Sequence, residues 1–98
     1  MQAVILTSSV AAIQDQDKPD SHVFTEADYN LSATVASDPY PCSKYLSEKW
    51  ATDFVAELPA ADKFRLVCIN PGAIYGPPLA KGVSWVSGGA GALLLARA

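Results

Sequence analysis

The segment that opens Tyr40-Pro41-Cys42-Ser43-Lys44-Tyr45-Leu46-Ser47-Glu48-Lys49-Trp50 and runs on to Leu58 decides the reading of this chain. Leu46, Trp50, Phe54 and Leu58 recur every four residues, and Ala51 and Val55 widen the stripe. Lys49, Thr52 and Asp53 fall on the opposite side, which predicts an amphipathic helix of about four to five turns with Trp50 in the core. Asp38 suits the N-cap and Pro39 the first helical position. Pro41 disfavours a helical Tyr40, so the regular helix starts at Pro39 or at Pro41. Pro59 ends it.

Outward from the helix lie two short apolar runs. Val4-Ile5-Leu6-Thr7-Ser8-Ser9 precedes it, and Phe64-Arg65-Leu66-Val67-Cys68-Ile69 follows and ends in Asn70-Pro71-Gly72. Strand, helix, strand is the pattern of a βαβ unit, with residues 1–7 as a buried first strand. In such units chemistry collects at the carboxyl ends of the strands, where Ser8, Ser9 and Asn70-Pro71-Gly72 fall. Between first strand and helix, residues 14–37 are polar and irregular. Lys18-Pro19-Asp20-Ser21 signals a turn, and Phe24 to Tyr29 a turn or short helix. A connection this long is often a binding loop.

Ninety-eight residues suffice for one small domain at most. The net charge of −3 with scattered basic residues argues against a nucleic-acid partner. The uncharged stretch from Gly82 is shorter than a membrane span, and Met1-Gln2-Ala3 does not open a signal peptide. Cys42 and Cys68 lack metal-ligand spacing, so no metal site is expected. They read as small packing residues with reduced thiols, which points to the cytoplasm. His22, the single histidine, reads as a solvated loop residue. Without a Gly-x-Ser-x-Gly elbow, serine hydrolysis is disfavoured.

Tyr40 and Lys44 stand four residues apart, on one helix face. Such pairs are common on solvated faces. A cation beside a phenol nevertheless favours the phenolate, which suits a tyrosine to acid–base work near neutral pH.

Together, the strand ending in Thr7-Ser8-Ser9, the Phe24-Thr25-Glu26-Ala27-Asp28 stretch, Tyr40-Pro41-Cys42-Ser43-Lys44 and Asn70-Pro71-Gly72-Ala73-Ile74-Tyr75-Gly76-Pro77 resemble the extended branch of the short-chain dehydrogenase/reductase superfamily. The likeness is to the dihydroflavonol reductase and cinnamoyl-CoA reductase type. It implies an α/β fold: a partial Rossmann-like, doubly wound domain of parallel strands over residues 1–80, followed by an uncertain tail over 81–98. It also implies carbonyl reduction with NADPH (NAD being possible) on a small carbonyl or alcohol substrate. Relatives bearing the same signature act as sugar epimerases or dehydratases. Tyr40 would exchange a proton with the substrate oxygen, which Ser9 would orient. Lys44 would lower the tyrosine pKa and bind the nicotinamide ribose. Thr7, Ser8, Tyr40, Lys44, Pro71, Gly72, Ala73 and Ile74 would form the cofactor-binding set.

By the same resemblance the chain starts at what would be the fifth strand, without the N-terminal nucleotide-binding half and its glycine-rich turn. The expectation is a fragment that is inactive alone and does not bind NADPH usefully, with a bare sheet edge open to association. Ser87-Gly88-Gly89-Ala90-Gly91-Ala92-Leu93-Leu94 is similar to that opening turn. It has Leu94 in place of the third glycine, so a flexible tail is expected instead. Substrate identity, stereochemistry and oligomeric state have no signature here.

Overall fold

The computed structural model describes residues 2–74 and the backbone of residues 94–97. In chain order they form strand β1 (Ala3–Thr7), a 3₁₀ turn (Val10–Ala12), helix α1 (Pro39–Glu57), strand β2 (Arg65–Pro71) and strand β3 (Leu94–Arg97). The strands make one sheet in the order β1-β2-β3. β1 and β2 are parallel, with Ala3 opposite Arg65 and Thr7 opposite Ile69. The pairing extends at both ends, through Arg65 N–H to the Gln2 carbonyl (3.0 Å) and Ser8 N–H to the Ile69 carbonyl (2.7 Å). This is the βαβ unit expected from the two apolar runs.

β3 runs antiparallel to β2, from Leu94 opposite Pro71 to Arg97 opposite Cys68. The sequence left this stretch in a flexible tail. The open edge of β2 accounts for the difference, because unpaired strand N–H and C=O groups accept any chain that can reach them. The Tyr75-Gly76-Pro77 turn, Trp85 and the glycine-rich stretch Ser87 to Gly91 lie outside the described residues.

α1 starts at Pro39, with both prolines in its first turn. The first N–H groups of a helix have no intrahelical acceptor, so neither proline removes a bond there. The first helical hydrogen bond of that end runs from Cys42 N–H to the Asp38 carbonyl (3.1 Å). Asp38 occupies the N-cap position but makes no side-chain cap bond.

The face that α1 turns inward is not the one its strongest periodicity selects. Leu46, Trp50 and Phe54 are 47 %, 70 % and 46 % exposed, and the Trp50 and Phe54 rings stack on each other at 5.6 Å. Cys42 and Glu48 are buried, and Tyr45, Ala51 and Val55 are half-buried. The helix therefore carries two apolar stripes. Glu48 lies in the one that packs inward, where a charge masks the pattern that periodicity detects. Trp50 is accordingly a surface residue, a correction to the sequence reading.

β1 is also less enclosed than its composition predicts. Val4 and Leu6 are half-buried, whereas Ala3, Ile5 and Thr7 are exposed, Ile5 to 65 %. Alternation of this kind marks a strand covered on one face. The buried core gathers at the carboxyl end of β1 and β2. It comprises Ala12, Ile13, Cys42 and Cys68 together with the polar Ser8, Asp15, Asn30, Glu48 and Asn70. Cys42 and Cys68 are not disulfide-bonded, as expected.

Candidate active site

Successive positions four apart on a helix rotate by about 40°. Tyr40, Lys44 and Glu48 therefore form a slowly turning column. Tyr40 is 57 % exposed, Lys44 half-buried and Glu48 1 % exposed. The column leads from solvent to the core along one line of side chains. The Lys44 ammonium lies 5.7 Å from the centre of the Tyr40 ring, within the range of a cation–π contact. The pair is thus brought together as the i, i+4 spacing predicts.

Ser9 ends the β1 segment and caps the 3₁₀ turn. Its backbone is extended (φ −160°, ψ 153°), and its Oγ accepts a hydrogen bond from Ala11 N–H at 3.2 Å. A hydroxyl that accepts this way still has its own O–H to donate. The Ser9 carbonyl accepts from Ala12 N–H (3.0 Å) and from the Asn70 carboxamide Nδ2 (3.0 Å).

Asn70 is fully buried, and the same Nδ2 also donates to the Glu48 carboxylate. One carboxamide thus joins the Ser9 segment, the end of β2 and the inner end of the Tyr40–Lys44 column. Asn70 is one of the strand-end residues that the sequence picks out, whereas Glu48 is not singled out by it. The available signal was a glutamate at i+4 from Lys44, within the second stripe Cys42, Tyr45, Glu48, Ala51, Val55.

Thr7 is exposed at the last paired position of β1, and Ser8 beside it is buried. Past Asn70, Pro71, Gly72 and Ala73 are half-buried and Ile74 is 65 % exposed. Ser8 Oγ and Asn70 Oδ1 are both buried without a hydrogen-bond partner among the described residues. Buried polar atoms are rarely left so, since each costs about 1–3 kcal/mol when unsatisfied. A groove of ≈ 800 Å³ lies elsewhere, along Leu6, Leu46, Trp50 and Ala51. None of the expected site residues lines it. It marks the exposed apolar face of α1.

The long connection between the 3₁₀ turn and α1 is irregular, as expected, and a polar clamp that the sequence reading did not single out holds it. The Asp15 carboxylate accepts from Ser32 Oγ (2.5 Å), Asp17 N–H (3.0 Å) and Leu31 N–H (3.3 Å). The Ser32 hydroxyl and then the Asp17 N–H hold this carboxyl below its ordinary pKa. Asn30 ties the same loop to the 3₁₀ turn through Ala11 and Ala12.

His22 is a partly exposed loop residue, as expected, and it also takes part in the loop's own structure. It hydrogen-bonds Asp28 at 3.1 Å and meets the Phe24 ring edge-on at 4.7 Å. Asp28 also accepts from Thr25 N–H (2.8 Å), so this stretch is the turn expected of it. The Thr25 N–H and then His22 keep the Asp28 carboxyl low.

A parallel α/β unit with hydroxyls and an Asn-Pro-Gly turn at its strand ends, and a tyrosine–lysine pair on the crossing helix, is of the Rossmann-like class found in nucleotide-dependent oxidoreductases. Comparison with known proteins narrows this. The chain is 36 % identical over 86 residues to an NADPH-dependent methylglyoxal reductase of Saccharomyces cerevisiae, covering 81 % of the chain and 25 % of that protein. It is 35 % identical over 86 residues to a cinnamoyl-CoA reductase of Medicago truncatula, covering 81 % of the chain and 24 % of that protein. The crystal structure of Gre2 from Candida albicans in complex with NADPH matches with a TM-score of 0.71 at 32 % identity, over 87 % of this chain and 27 % of that one. No family model matches the chain.

The chain is thus a relative of oxidoreductases, and the solved NADPH complex it matches belongs to the short-chain dehydrogenase/reductase family that its motifs resemble. It spans about a quarter of the length of the curated relatives it matches. Among the described residues no helix is long and apolar enough to cross a membrane.

Proposed function

We propose that this chain carries the proton-transfer and nicotinamide-facing segment of an NADPH-dependent carbonyl reductase. The observation that carries the reading is the buried Asn70 carboxamide at the carboxyl end of β2, which joins the Ser9 carbonyl at the end of β1 to Glu48 on the helix that also bears the Tyr40–Lys44 pair. The similar yeast and plant proteins, named as an NADPH-dependent methylglyoxal reductase and a cinnamoyl-CoA reductase, support the same chemistry.

In this reading Tyr40 gives its phenolic proton to the substrate oxygen as the carbonyl becomes an alcohol. Its exposure leaves the phenol accessible to a substrate. Lys44 supplies the positive charge beside it and a donor for the nicotinamide ribose. Ser9 donates its O–H to the same substrate oxygen, and a preorganised donor aimed at developing charge typically accounts for about 10²–10³ in turnover.

The residues present fit the nicotinamide end of the cofactor. Ser8 Oγ and Asn70 Oδ1 are buried polar atoms at the strand ends, and a carboxamide offers both a donor and an acceptor. Gly72 is the only glycine among residues 2–74, and without a Cβ it lets the backbone approach a flat ring closely. Thr7, Pro71, Ala73 and the exposed Ile74 complete that rim. When bound, NADPH supplies the hydride. Nothing in residues 2–74 matches a pyrophosphate-binding glycine turn, so the nucleotide end requires residues beyond these.

The test grafts residues 3–74 in place of the matching segment of the Saccharomyces methylglyoxal reductase. The chimera oxidises NADPH when given a small aldehyde or ketone, and Ser9→Ala lowers turnover by about 10²–10³. A folded chimera that binds NADPH yet leaves the carbonyl untouched refutes the reading. One that turns over a nucleotide sugar instead places the segment with the superfamily's epimerases or dehydratases.

A further inference from the structure

We infer that Glu48 is a positioning residue for this site: acting through the Asn70 carboxamide, it fixes where the Ser9 segment stands relative to the Tyr40–Lys44 column. The inference rests on the function proposed above for its purpose, though its geometry can be tested separately. The Glu48 side chain is 1 % exposed and Asn70 is fully buried. A charged residue so enclosed is costly unless its hydrogen bonds are made. Its Oε1 accepts from Asn70 Nδ2, which also donates to the Ser9 carbonyl at 3.0 Å.

Each link has a distinct job. Glu48 belongs to the helix column, two four-residue steps inward from Tyr40, so its carboxylate moves with the helix. Asn70 belongs to the end of β2, where Pro71 and Gly72 follow. The Ser9 carbonyl also accepts from Ala12 N–H (3.0 Å), and the Ser9 hydroxyl accepts from Ala11 N–H (3.2 Å). A carboxamide pulled toward Glu48 thus sets the Ser9 peptide and the turn that aims the Ser9 hydroxyl. With only two N–H bonds on Nδ2, the amide can serve both acceptors at once, and its orientation is determined by the carboxylate. Loss of the carboxylate lets the amide rotate and releases the Ser9 carbonyl. The helix and the β1–β2 pairing do not require that contact.

The test is amide hydrogen exchange on the full 98-residue chain and three variants. Exchange at Ala11 and Ala12 is read against Trp50 and Ala51 in the middle of α1. Glu48→Ala speeds exchange at Ala11 and Ala12 about ten-fold or more relative to the helix amides, as expected for a lost hydrogen bond to a charged group. Glu48→Gln keeps an oxygen facing Asn70 and restores the wild-type ratio. The exchange of partners, Glu48→Gln with Asn70→Asp, rebuilds a donor–acceptor pair between helix and strand but leaves the Ser9 carbonyl without its side-chain donor. It keeps the helix protected and Ala11 and Ala12 fast.

A ratio equal to wild type in Glu48→Ala, whatever the absolute rates, overturns the inference. So does a uniform loss across helix and turn in Glu48→Ala, or rescue of Ala11 and Ala12 by the partner exchange, since either makes Glu48 a general structural residue. If the exchange pattern holds while the grafted segment fails to reduce carbonyls, the positioning stands and the proposed reaction falls.

Discussion

Removing the Asp15 carboxylate should release the loop between the 3₁₀ turn and α1 while leaving the sheet in place. Asp15→Ala deletes three acceptor bonds, from Ser32 Oγ at 2.5 Å, Asp17 N–H at 3.0 Å and Leu31 N–H at 3.3 Å. Hydrogen bonds to charged groups contribute about 1.5–3 kcal/mol each, but these share one carboxylate and are not additive. The Leu31 bond is long. A local cost of about 2–3 kcal/mol is therefore expected, which is about a 30- to 160-fold rise in opening. Amide exchange at Leu31 and Asp17 measures it, with Val67 in β2 as the reference. Because the folded Asp15 pKa is depressed, its contribution is fully present above the unfolded value of about 3.9 and is lost as pH falls through the folded value. The wild-type loop should open in that acid window, and Asp15→Asn should remove this pH dependence. Unchanged exchange at Leu31 in Asp15→Ala, with the loop still closed, would refute the reasoning.

Further outcomes follow from burial. Trp50→Ser and Phe54→Ser together should cost less than about 2 kcal/mol in urea unfolding, because Trp50 is largely exposed and Phe54 is exposed to nearly half; a loss of several kcal/mol would restore the helix face first read from periodicity. Lys49 and Asp53 pair across one turn at 2.5 Å, and Asp53 holds the Lys49 pKa up. Both side chains are more than half exposed, so replacing either leaves the melting temperature unchanged. Titration calorimetry of the 98-residue chain with NADPH should show no micromolar binding, since residues 2–74 hold no glycine-rich turn for a pyrophosphate and Ser87 to Leu94 has Leu94 in place of the third glycine of such a turn.

The strands and the helix were legible because each has a run of the right type and length: Val4 to Thr7, Phe64 to Ile69, and a four-residue apolar repeat ended by Pro59. Parallel pairing followed from their order. The inward face of the helix was not legible. Leu46, Trp50 and Phe54 outweigh Cys42, Ala51 and Val55 in any count of hydrophobicity, and Glu48 interrupts the stripe that packs. The Tyr40–Lys44 pairing was readable from spacing alone, being local. The Asn70 bridge joins positions 22 and 61 residues apart, and the Asp15 clamp positions 16 and 17 apart. Side-chain bonds over such separations depend on how the chain folds back, which periodicity does not encode. β3 depends likewise on an open edge of β2.

The central claim is that the Tyr40 phenol, held beside Lys44 on the helix, delivers the proton when a carbonyl is reduced. Its most direct test is single-turnover NADPH oxidation by the grafted reductase with methylglyoxal, comparing Tyr40 with Tyr40→Phe. The substitution should slow the chemical step by about 10²–10⁴ with NADPH affinity unchanged. Equal single-turnover rates at equal NADPH affinity would contradict the account.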